Sequence, residues 1–359
     1  MKKSKRLLVL ALTLILALGL VACGNGAAPA APAAPAAPAA PGADAPPAAP
    51  AAQPVTIRFA NIFPAEQYQS VSMTLFKDLV EERSENITVD LFFNGVLGTE
   101  TELSEAVAAG IVDMVAVGSA IQIFMPNVMA TEMPFVFADW DHAYAVLTDP
   151  RMYDLITVGA AENNFIPLVF CVNGFRMFSA NRAIESMEDF QGFRLRLPNI
   201  PHYLQMGDVL GASYVALPLP EVFTALEQRV IDGQDNPLMG TITNRFYEMQ
   251  SHIIASNHML TTHMWYINTD VYNALTPEDQ QIIRDAAREA TDWAWTRWRE
   301  AEAGHIAYIE EQGLVFHRPS PEFAADMRNA MGPVWEWYAS VAPNGQEILD
   351  LIAEIYDRM

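Results

Sequence analysis

The stretch "GFRLRLPN", from Gly192 to Asn199, is the segment from which the fold can be predicted. Its apolar residues alternate with Arg194 and Arg196, and a period of two is typical of a β-strand with one apolar face. A helical pattern "HYLQMGDVLGA", a strand "SYVALPL" and a second helical pattern "PEVFTALEQRV" follow it. Strands that alternate with helices in this way predict an α/β fold with parallel strand pairs.

The same alternation occurs in the first half of the body. The strand-like runs "VTIRFANIF", "ITVDLFF" and "IVDMVAVG" are separated by the helical patterns "SVSMTLFKDLVEERS" and "ETELSEAVAAG". The three runs end near Ile62, Asn94 and Gly118. Ligands of open α/β sheets bind at the carboxyl ends of the strands, so we expect these loops to contribute to a binding site.

A long helix is predicted between Pro277 and Gln312, because this segment contains one proline, at its start, and one glycine. Such a helix would be about 54 Å long if straight, which exceeds the diameter of one domain. A chain of 359 residues also favours two domains. We therefore expect the helix to cross both, with Trp293, Trp295 and Trp298 packed against the body.

The formal net charge is −22, and so acidic a protein repels nucleic acids and anionic headgroups. Nucleic acid is therefore excluded as a partner. An anionic ligand would need a local cluster of positive charge.

The N-terminus has the pattern of a secretory signal. A basic segment precedes the apolar run "LLVLALTLILALGL", and "LVAC" then ends in Cys23, as in a bacterial lipobox. We predict a lipoprotein signal peptide at residues 1–23, lipidation of Cys23 and attachment to the cell membrane. Residues 24–53, rich in alanine and proline, would form a semi-rigid linker. The other cysteine, Cys171, lies in an apolar run and is predicted to be a buried thiol.

Further polar groups that suit a carboxylate follow two more predicted elements. Arg176 comes after a glycine at the end of the strand "FIPLVFCVNGF", and Asn236 lies in "DGQDNP" beyond a helix. Arginine offers a planar fork that holds both carboxylate oxygens, and asparagine adds a donor. A solvated polar face is the alternative interpretation of Arg194 and Arg196.

The body from about Val55 onward resembles the solute-binding proteins of tripartite ATP-independent periplasmic (TRAP) transporters, the DctP-type family. The resemblance is strongest in "NGVLGTETELSEAVAAGIVDM", "GFRLRLPN" and "PLPEVFTALEQRVIDGQDNP". It implies a two-lobed periplasmic-binding-protein-like fold with hinge strands and a long helix across both lobes. By this resemblance, lobe I comprises residues 54–173 and 262–301, the latter including the long helix, and lobe II comprises residues 174–261 and 302–359.

The resemblance also implies roles for individual residues. Arg196 would pair with the ligand carboxylate, Arg176 would be a second anion contact, and Asn236 would donate from the far side, whereas Arg194 would point elsewhere. Secondary ligand-binding positions would be Phe63, Glu100, Gly118, Ser119, Pro198 and Leu219, with Trp265 as an aromatic wall. The partners implied are a small organic acid and the small and large permease subunits. Asp235 stands where the family often has Glu.

Other functions are less well supported by the residues. No nucleophile elbow, HExxH motif or phosphate-binding glycine loop is present, so no catalytic residue, cofactor or metal is predicted. His258 and His263 lie five residues apart, which is not the spacing of a helical zinc pair. A lipoprotein of an ATP-driven importer and a secreted carbohydrate-active enzyme remain alternatives. The ligand could be a sugar acid such as a uronate, a C4 dicarboxylate or a 2-oxo acid.

Overall fold

The central feature of the computed structural model, which describes residues 54–359, is one continuous mixed sheet. Its nine strands run in the order β2-β1-β3-β8-β4-β7-β5-β6, and β9 pairs with β8. The strands are Val55–Ala60 (β1), Ile87–Phe92 (β2), Met114–Val117 (β3), Phe165–Ala180 (β4), Leu195–Leu197 (β5), Val215–Ala216 (β6), Gly233–Pro237 (β7), His252–Asn268 (β8) and Val315–His317 (β9).

Helices connect and cover these strands. They are Tyr68–Arg83 (α1), Glu100–Ala108 (α2), Trp140–Leu147 (α3), Pro150–Ile156 (α4), Pro201–Leu210 (α5), Val222–Glu227 (α6), Leu238–Thr243 (α7), Thr269–Ala274 (α8), Pro277–Glu311 (α9), Pro321–Ala330 (α10), Gly332–Val341 (α11) and Gly345–Asp357 (α12). Short 3-10 helices include Ser119–Ile123 and Pro126–Glu132.

Local sequence explains how the element nearest the site begins and ends. At α2, Thr99 and Glu102 form a capping box, in which each side chain accepts a hydrogen bond from the other residue's backbone N–H. The helix stops before Gly110, whose φ of +69° favours glycine. The capping box thus fixes Glu100 as the first residue of α2, from where its side chain accepts a hydrogen bond from Gly118, just after β3.

Two groups of parallel strands are joined by a pair of long antiparallel ones. β1 pairs in parallel with β2 and β3, and β5 pairs in parallel with β6 and β7. β8 joins β3 to β4, and β4 joins β8 to β7, all in antiparallel pairs. The α/β architecture, the hinge strands and the long helix predicted from the sequence are therefore confirmed.

The predicted lobe boundaries fall opposite each other on these long strands. Val172 of β4 pairs with Thr262 of β8, Gly174 pairs with Thr261, and an irregularity of register separates the two pairs. Gly174 has a φ of +93°, and a Cβ atom there would lie 3.4 Å from both Pro237 and Trp298. The ladder is thus interrupted where the lobes were predicted to meet, and the boundaries themselves stay a prediction.

The long helix α9 has 35 residues and packs on two separate hydrophobic clusters. Ile283, Ala286 and Ala290 contact a cluster that contains Phe59 and Trp265. Ile309, near the other end, packs in a cluster with Met177, Leu238 and Leu314. Trp295 and Trp298 are buried, as expected for packing against the body.

Two further predictions concern the cysteines. Cys171 is a fully buried free thiol, as predicted, and burial raises its pKa to about 12. Cys23, its lipidation, the signal peptide and the linker lie outside the described residues. Within residues 54–359, no helix is both long enough and apolar enough to cross a lipid bilayer.

Candidate functional site

The three residues predicted to bind a carboxylate lie on three neighbouring strands. Arg176 is on β4, Asn236 on β7 and Arg196 on β5, and these strands are adjacent in the sheet. In the β-ladders, Asn236 is opposite Met177 and Arg196 is opposite Gln234. The sheet therefore brings together residues up to 60 positions apart in sequence.

Arg196 is a buried cation whose protein partner is a neutral carbonyl. Arg196 is 2% exposed. Its Nε and Nη2 donate to the Leu217 carbonyl oxygen at 2.9 and 2.6 Å. Among residues 54–359, no carboxylate forms an ion pair with it. Burial, opposed by the charge of Asp235, lowers the pKa of Arg196 to about 10. A bound carboxylate would supply the missing negative charge.

Arg194 has a different environment. It lies just before β5, its side chain is 44% exposed, and it forms an ion pair with Asp232. Its Nη1 also donates to the carbonyl oxygen of Arg229 at 2.7 Å. The structure thus keeps Arg194 at the surface, in the position expected from the resemblance.

Arg176 is buried and already paired within the protein. Its Nε donates to Oδ2 of Asp235 at 2.5 Å, and its Nη1 donates to Thr261 Oγ1 at 3.2 Å. Burial would raise the pKa of Asp235, but the charge of Arg176 and hydrogen bonds from His258 and Arg176 outweigh burial and lower it. The role of Arg176 as a second anion contact stays a prediction, because the ion pair with Asp235 already compensates the charge of Arg176.

Asn236 is held by a neighbouring amide. Its Nδ2 donates to Oε1 of Gln234, whose Nε2 donates in turn to Ser179 Oγ at 2.8 Å. The residue is 7% exposed. This chain of hydrogen bonds orients Asn236 on the strand between the two arginines.

Glu100, Gly118 and Phe63, which fall in the predicted lobe I, meet around His263. Glu100 Oε1 accepts from the Gly118 N–H at 2.9 Å and lies 3.9 Å from His263 Nε2. The ring of Phe63 packs edge-on against the His263 ring at 4.7 Å. Ser119 begins the 3-10 helix after Gly118. The sequence predicted four of these positions, Phe63, Glu100, Gly118 and Ser119, as ligand contacts, whereas it did not indicate His263.

Glu132 is a second buried acid that the sequence did not reveal. Its Oε1 accepts from the Thr262 N–H at 2.8 Å, and its Oε2 accepts from the Tyr203 hydroxyl at 3.1 Å. Burial raises the pKa of Glu132 to about 8, against the opposing charge of Arg176. A lone acid within the apolar run "VMATEMPFVF" was the signal that could have identified it.

The remaining predicted positions are less central. Pro198 follows β5, and Leu219 is half-buried and packs against a small hydrophobic cluster. Trp265 is fully buried, with its ring 5.0 Å from Phe59 and 5.7 Å from Phe76. This position in the core does not favour its expected role as an aromatic wall.

Two hydrogen bonds join the predicted lobes in this structure. Gln67 of the predicted lobe I donates to Thr243 Oγ1 of the predicted lobe II at 3.1 Å, and the Tyr203 hydroxyl of the predicted lobe II donates to Glu132 of the predicted lobe I at 3.1 Å. A surface depression of about 430 Å³ lies elsewhere, between the C-terminal helices and Phe135. In residues 54–359, no cluster of three or more His, Cys, Asp or Glu could hold a metal ion.

The sequence matches a known family over most of its length. The model for bacterial extracellular solute-binding proteins of family 7, DctP, matches residues 59–341. The chain is 27% identical over 289 residues to the sialic acid-binding periplasmic protein SiaP of Vibrio cholerae, covering 80% of this chain and 88% of that one. It is 26% identical over 304 residues to the 2,3-diketo-L-gulonate-binding periplasmic protein YiaO of Escherichia coli, covering 84% and 92%.

Solved structures of similar proteins have the same fold. A TRAP periplasmic solute-binding protein from Desulfovibrio desulfuricans, with bound sn-glycerol-3-phosphate, superposes with a TM-score of 0.81 at 31% identity, covering 84% of this chain and 97% of that one. A TRAP periplasmic solute-binding protein from Haemophilus influenzae, with bound L-gulonate, gives a TM-score of 0.78 at 28% identity, covering 84% and 99%.

Proposed function

This chain belongs to family 7 of the bacterial extracellular solute-binding proteins. On this basis, we propose that it binds a solute through a carboxylate group of that solute and delivers it to the membrane subunits of a TRAP transporter. The family assignment confirms the resemblance seen in the sequence. It also disfavours the alternative of an ATP-driven importer. Proteins of this family bind solutes rather than catalyse reactions, and they act outside the cytoplasm.

The observation that carries the proposal is the state of Arg196. This guanidinium is buried, and its described hydrogen bonds go to one neutral carbonyl. Burying a charge without an opposite charge is unfavourable, so a carboxylate that enters the site would relieve the penalty. Arg176 differs, since Asp235 already compensates it. Arg196 is therefore the proposed carboxylate partner, with Asn236 as an additional donor.

The similar proteins support an organic anion as the ligand. The Haemophilus influenzae protein holds L-gulonate, and YiaO is named for 2,3-diketo-L-gulonate, both of which are sugar acids. The Desulfovibrio desulfuricans protein holds sn-glycerol-3-phosphate, an anion that arginine also binds in a bidentate manner. A sugar acid is thus a stronger candidate than a nucleic acid or a cation.

The proposal includes the cellular attachment and the movement of the lobes. We propose that Cys23 is lipidated, which would hold the body near the membrane through residues 24–53. Intact-mass analysis of the membrane fraction would detect the lipid, and release of a Cys23→Ala variant into the soluble fraction would support this anchor.

The proposal also includes a movement of the lobes. One lobe would comprise residues 54–173 and 262–301, the other residues 174–261 and 302–359, and the two would close on the ligand.

Binding of matched acids and amides tests the proposed function. Isothermal titration calorimetry of the purified protein would use D-galacturonate, L-gulonate, D-galactonate, succinate and sn-glycerol 3-phosphate, together with galactonamide as the uncharged control. We expect at least one carboxylate to bind and the amide to be rejected. Equal affinity for galactonate and galactonamide, or binding of the phosphate alone, would contradict a carboxylate site.

A further inference from the structure

We propose that Tyr203 and Glu132 are positioning residues for ligand binding, which meet when the predicted lobes close, and that Glu132 takes up a proton from the solvent as they do so. The inference rests on the proposed function, because it assumes that the two lobes close on a carboxylate. It goes beyond that function by coupling ligand affinity to pH.

Tyr203 connects the anion-binding strands to the other predicted lobe. Its ring lies against Arg176, whose Cζ atom is 5.0 Å from the ring centroid, and an aromatic ring attracts a guanidinium at this distance. Its hydroxyl group donates to Glu132 Oε2 at 3.1 Å, across the predicted lobe boundary. One side chain thus supports an arginine of the predicted lobe II and contacts an acid of the predicted lobe I.

These contacts belong to a closed ring of contacts that passes through the long strand β8. Arg176 Nη1 donates to the Thr261 hydroxyl at 3.2 Å. The next residue, Thr262, donates its backbone N–H to Glu132 Oε1 at 2.8 Å, and the predicted lobe boundary falls between the two threonines. A rotation of the lobes about this point would separate Tyr203 from Glu132. The hydrogen bond between these two side chains is therefore the part of the ring that depends on closure.

Glu132 is held on its own predicted lobe independently of Tyr203. The β3–β8 ladder ends at Met264, so Glu132 accepts from an N–H of β8 that lies beyond the last ladder pair. The hydroxyl group of the preceding residue, Thr131, lies 2.7 Å from the Thr262 hydroxyl. Two neighbouring residues thus attach this 3-10 helix to β8, and Glu132 meets Tyr203 from a fixed position.

Closure places the Glu132 carboxyl group in surroundings that favour its uncharged form. The residue is buried, and the Thr262 N–H and the Tyr203 hydroxyl are both neutral donors. Burial raises the pKa of Glu132 to about 8, against these hydrogen bonds and the charge of Arg176. Separation of the lobes would admit water and return the pKa towards the ordinary value of about 4.3. Closing near neutral pH therefore takes up a proton.

The other groups around Glu132 do not reverse this effect. Beyond burial, the charge of Arg176 in β4 lowers its pKa and the charge of Glu100 in α2 raises it. Burial raises the pKa of Tyr203, so its hydroxyl group stays protonated. The preceding 3-10 helix, Ser119–Ile123, contains no charged residue, and α4, α11 and α12, which also pack on the 3-10 helix of Glu132, supply no charge that shifts its pKa.

Calorimetry in buffers of different ionisation enthalpy counts the proton. The tightest-binding acid among D-galacturonate, L-gulonate, D-galactonate and succinate would be titrated at pH 7.5 in phosphate and in Tris. At this pH the acids are fully ionised, and the pKa values of three buried histidines are lowered, mainly by burial, so that these rings are neutral: His202, His258 and His263. We expect an uptake of about 0.5–1 proton per ligand bound, and an affinity that falls about fivefold between pH 7 and pH 8.5.

Glu132→Gln separates the proton from the contact. The amide has the shape of the uncharged carboxyl group, and it can accept from the Thr262 N–H and donate to the Tyr203 hydroxyl. This variant should bind the same acid at least as tightly as the wild type at pH 8.5, with no proton uptake and no fall in affinity with pH. Glu105→Gln neutralises an exposed acid of α2 and should retain the wild-type proton uptake.

Tyr203→Phe tests the contact between the lobes. It keeps the ring against Arg176 but removes the hydroxyl group, so it should weaken binding by about fivefold or more. Tyr214→Phe removes a hydroxyl group from a half-buried tyrosine of the same predicted lobe and should leave the affinity unchanged. Gln67→Ala removes the other hydrogen bond that joins the predicted lobes, and it should weaken binding while the proton uptake persists.

The outcomes separate this inference from the proposed function. Binding of a carboxylate without proton uptake at pH 7.5 would overturn the role of Glu132 and leave the carboxylate site intact. Wild-type affinity in a folded Tyr203→Phe variant would overturn the contact between the lobes. Melting curves would establish that each variant is folded, and the proton count of the wild type tests the inference even if no variant folds. If none of the carboxylates binds, the proposed function fails, and the inference fails with it.

Discussion

Arg194 and Arg196 are two residues apart, yet one is an exposed partner of Asp232 and the other is a buried cation bonded to the Leu217 carbonyl. β5 begins at Leu195, so the strand takes Arg196 into the sheet and leaves Arg194 outside it. This difference provides a matched pair of variants on the same short segment. It also suggests how an acidic protein could bind an anion, because the Arg196 guanidinium has no carboxylate partner among the described residues.

Arg196→Ala should remove most ligand binding. The loss should be roughly 3–5 kcal/mol, or about 100-fold or more in affinity, because the ligand carboxylate would lose its bidentate partner. Arg196→Lys should recover little, since an ammonium cannot reproduce the planar fork. Arg194→Ala is the control and should change affinity by less than about threefold. Calorimetry with the best-binding acid gives the result, and a larger effect at Arg194 would contradict the assignment.

Removing one partner of the Arg176–Asp235 pair should destabilise the protein. Asp235→Asn should cost about 3–5 kcal/mol of unfolding free energy, because it leaves the buried Arg176 uncompensated. The pKa of Asp235 is lowered in the folded protein, so its contribution is present above its unfolded pKa of about 3.9 and is lost as the pH falls further. Urea unfolding at pH 7 and at pH 3 should therefore show a smaller difference between wild type and variant at pH 3. Arg176→Met/Asp235→Leu should regain much of the loss, and a double variant less stable than both single ones would count against the pair.

Glu132 should make the protein less stable as the pH rises. Its folded pKa is about 8, above the ordinary glutamate value of about 4.3, so its favourable effect is complete below the latter and is lost as the pH rises towards 8. Glu132→Gln should match the wild type near pH 4.5 and exceed its unfolding free energy by a few kcal/mol, to order of magnitude, near pH 8.5. Melting temperatures across this range test the prediction. Parallel curves for the two proteins would show that Glu132 does not titrate there.

The glycine at the irregularity of the hinge ladder should not tolerate a side chain. Gly174→Ala should destabilise the protein by about 1–2 kcal/mol, because alanine is strained at a φ of +93°, although its Cβ would be accommodated in contact with Pro237 and Trp298. Gly304→Ala is a useful contrast, since Gly304 lies within α9 with nothing within 4 Å of an added Cβ. That substitution should stabilise by about 0.5–1 kcal/mol. Denaturant unfolding of both variants would detect the opposite signs, and a neutral Gly174→Ala would argue against a constrained hinge.

Ligand binding should make the protein more compact. Hydrogen bonds of Gln67 with Thr243 and of Tyr203 with Glu132 join the two predicted lobes, and an open form would break them. Small-angle scattering of the purified protein should show a smaller radius of gyration with saturating ligand than without it. Gln67→Ala should weaken the ligand-bound closed form without removing a proposed ligand contact. Identical scattering curves with and without ligand would indicate a rigid pocket.

Much of the fold could be predicted because local patterns agree with the final structure. The apolar alternation of β1 and β2, the glycine after α2 and the uninterrupted pattern of α9 each reflect an element that satisfies its own backbone. β8 was missed, since Thr261, Thr262 and His263 interrupt its apolar run. These polar residues are buried because β4 and β3 flank the strand, which is information about tertiary structure that its own sequence lacks.

The candidate site shows the same division. Arg196, Arg176 and Asn236 stand in recognisable segments at strand positions, so the sequence could indicate them. Glu132, Tyr203 and His263 come from a 3-10 helix, an α-helix and a strand that meet only after folding. The predicted role of Trp265 has a related difficulty, because the sequence of a large aromatic residue fits a ligand wall and a buried hydrophobic core equally well.

The pairing of β3 with β8 determines the order in which this chain can fold during its synthesis. β3 can pair with residues 264–267 of β8 only after the ribosome has added about 150 more residues. α1 likewise packs against α9, which is complete only at Glu311. The sheet is therefore not assembled from consecutive segments alone, and a nascent polypeptide that stops before β8 leaves one edge of β3 unpaired. A chain truncated before residue 250, and therefore lacking β8, should thus be prone to aggregation rather than fold as a smaller binding protein.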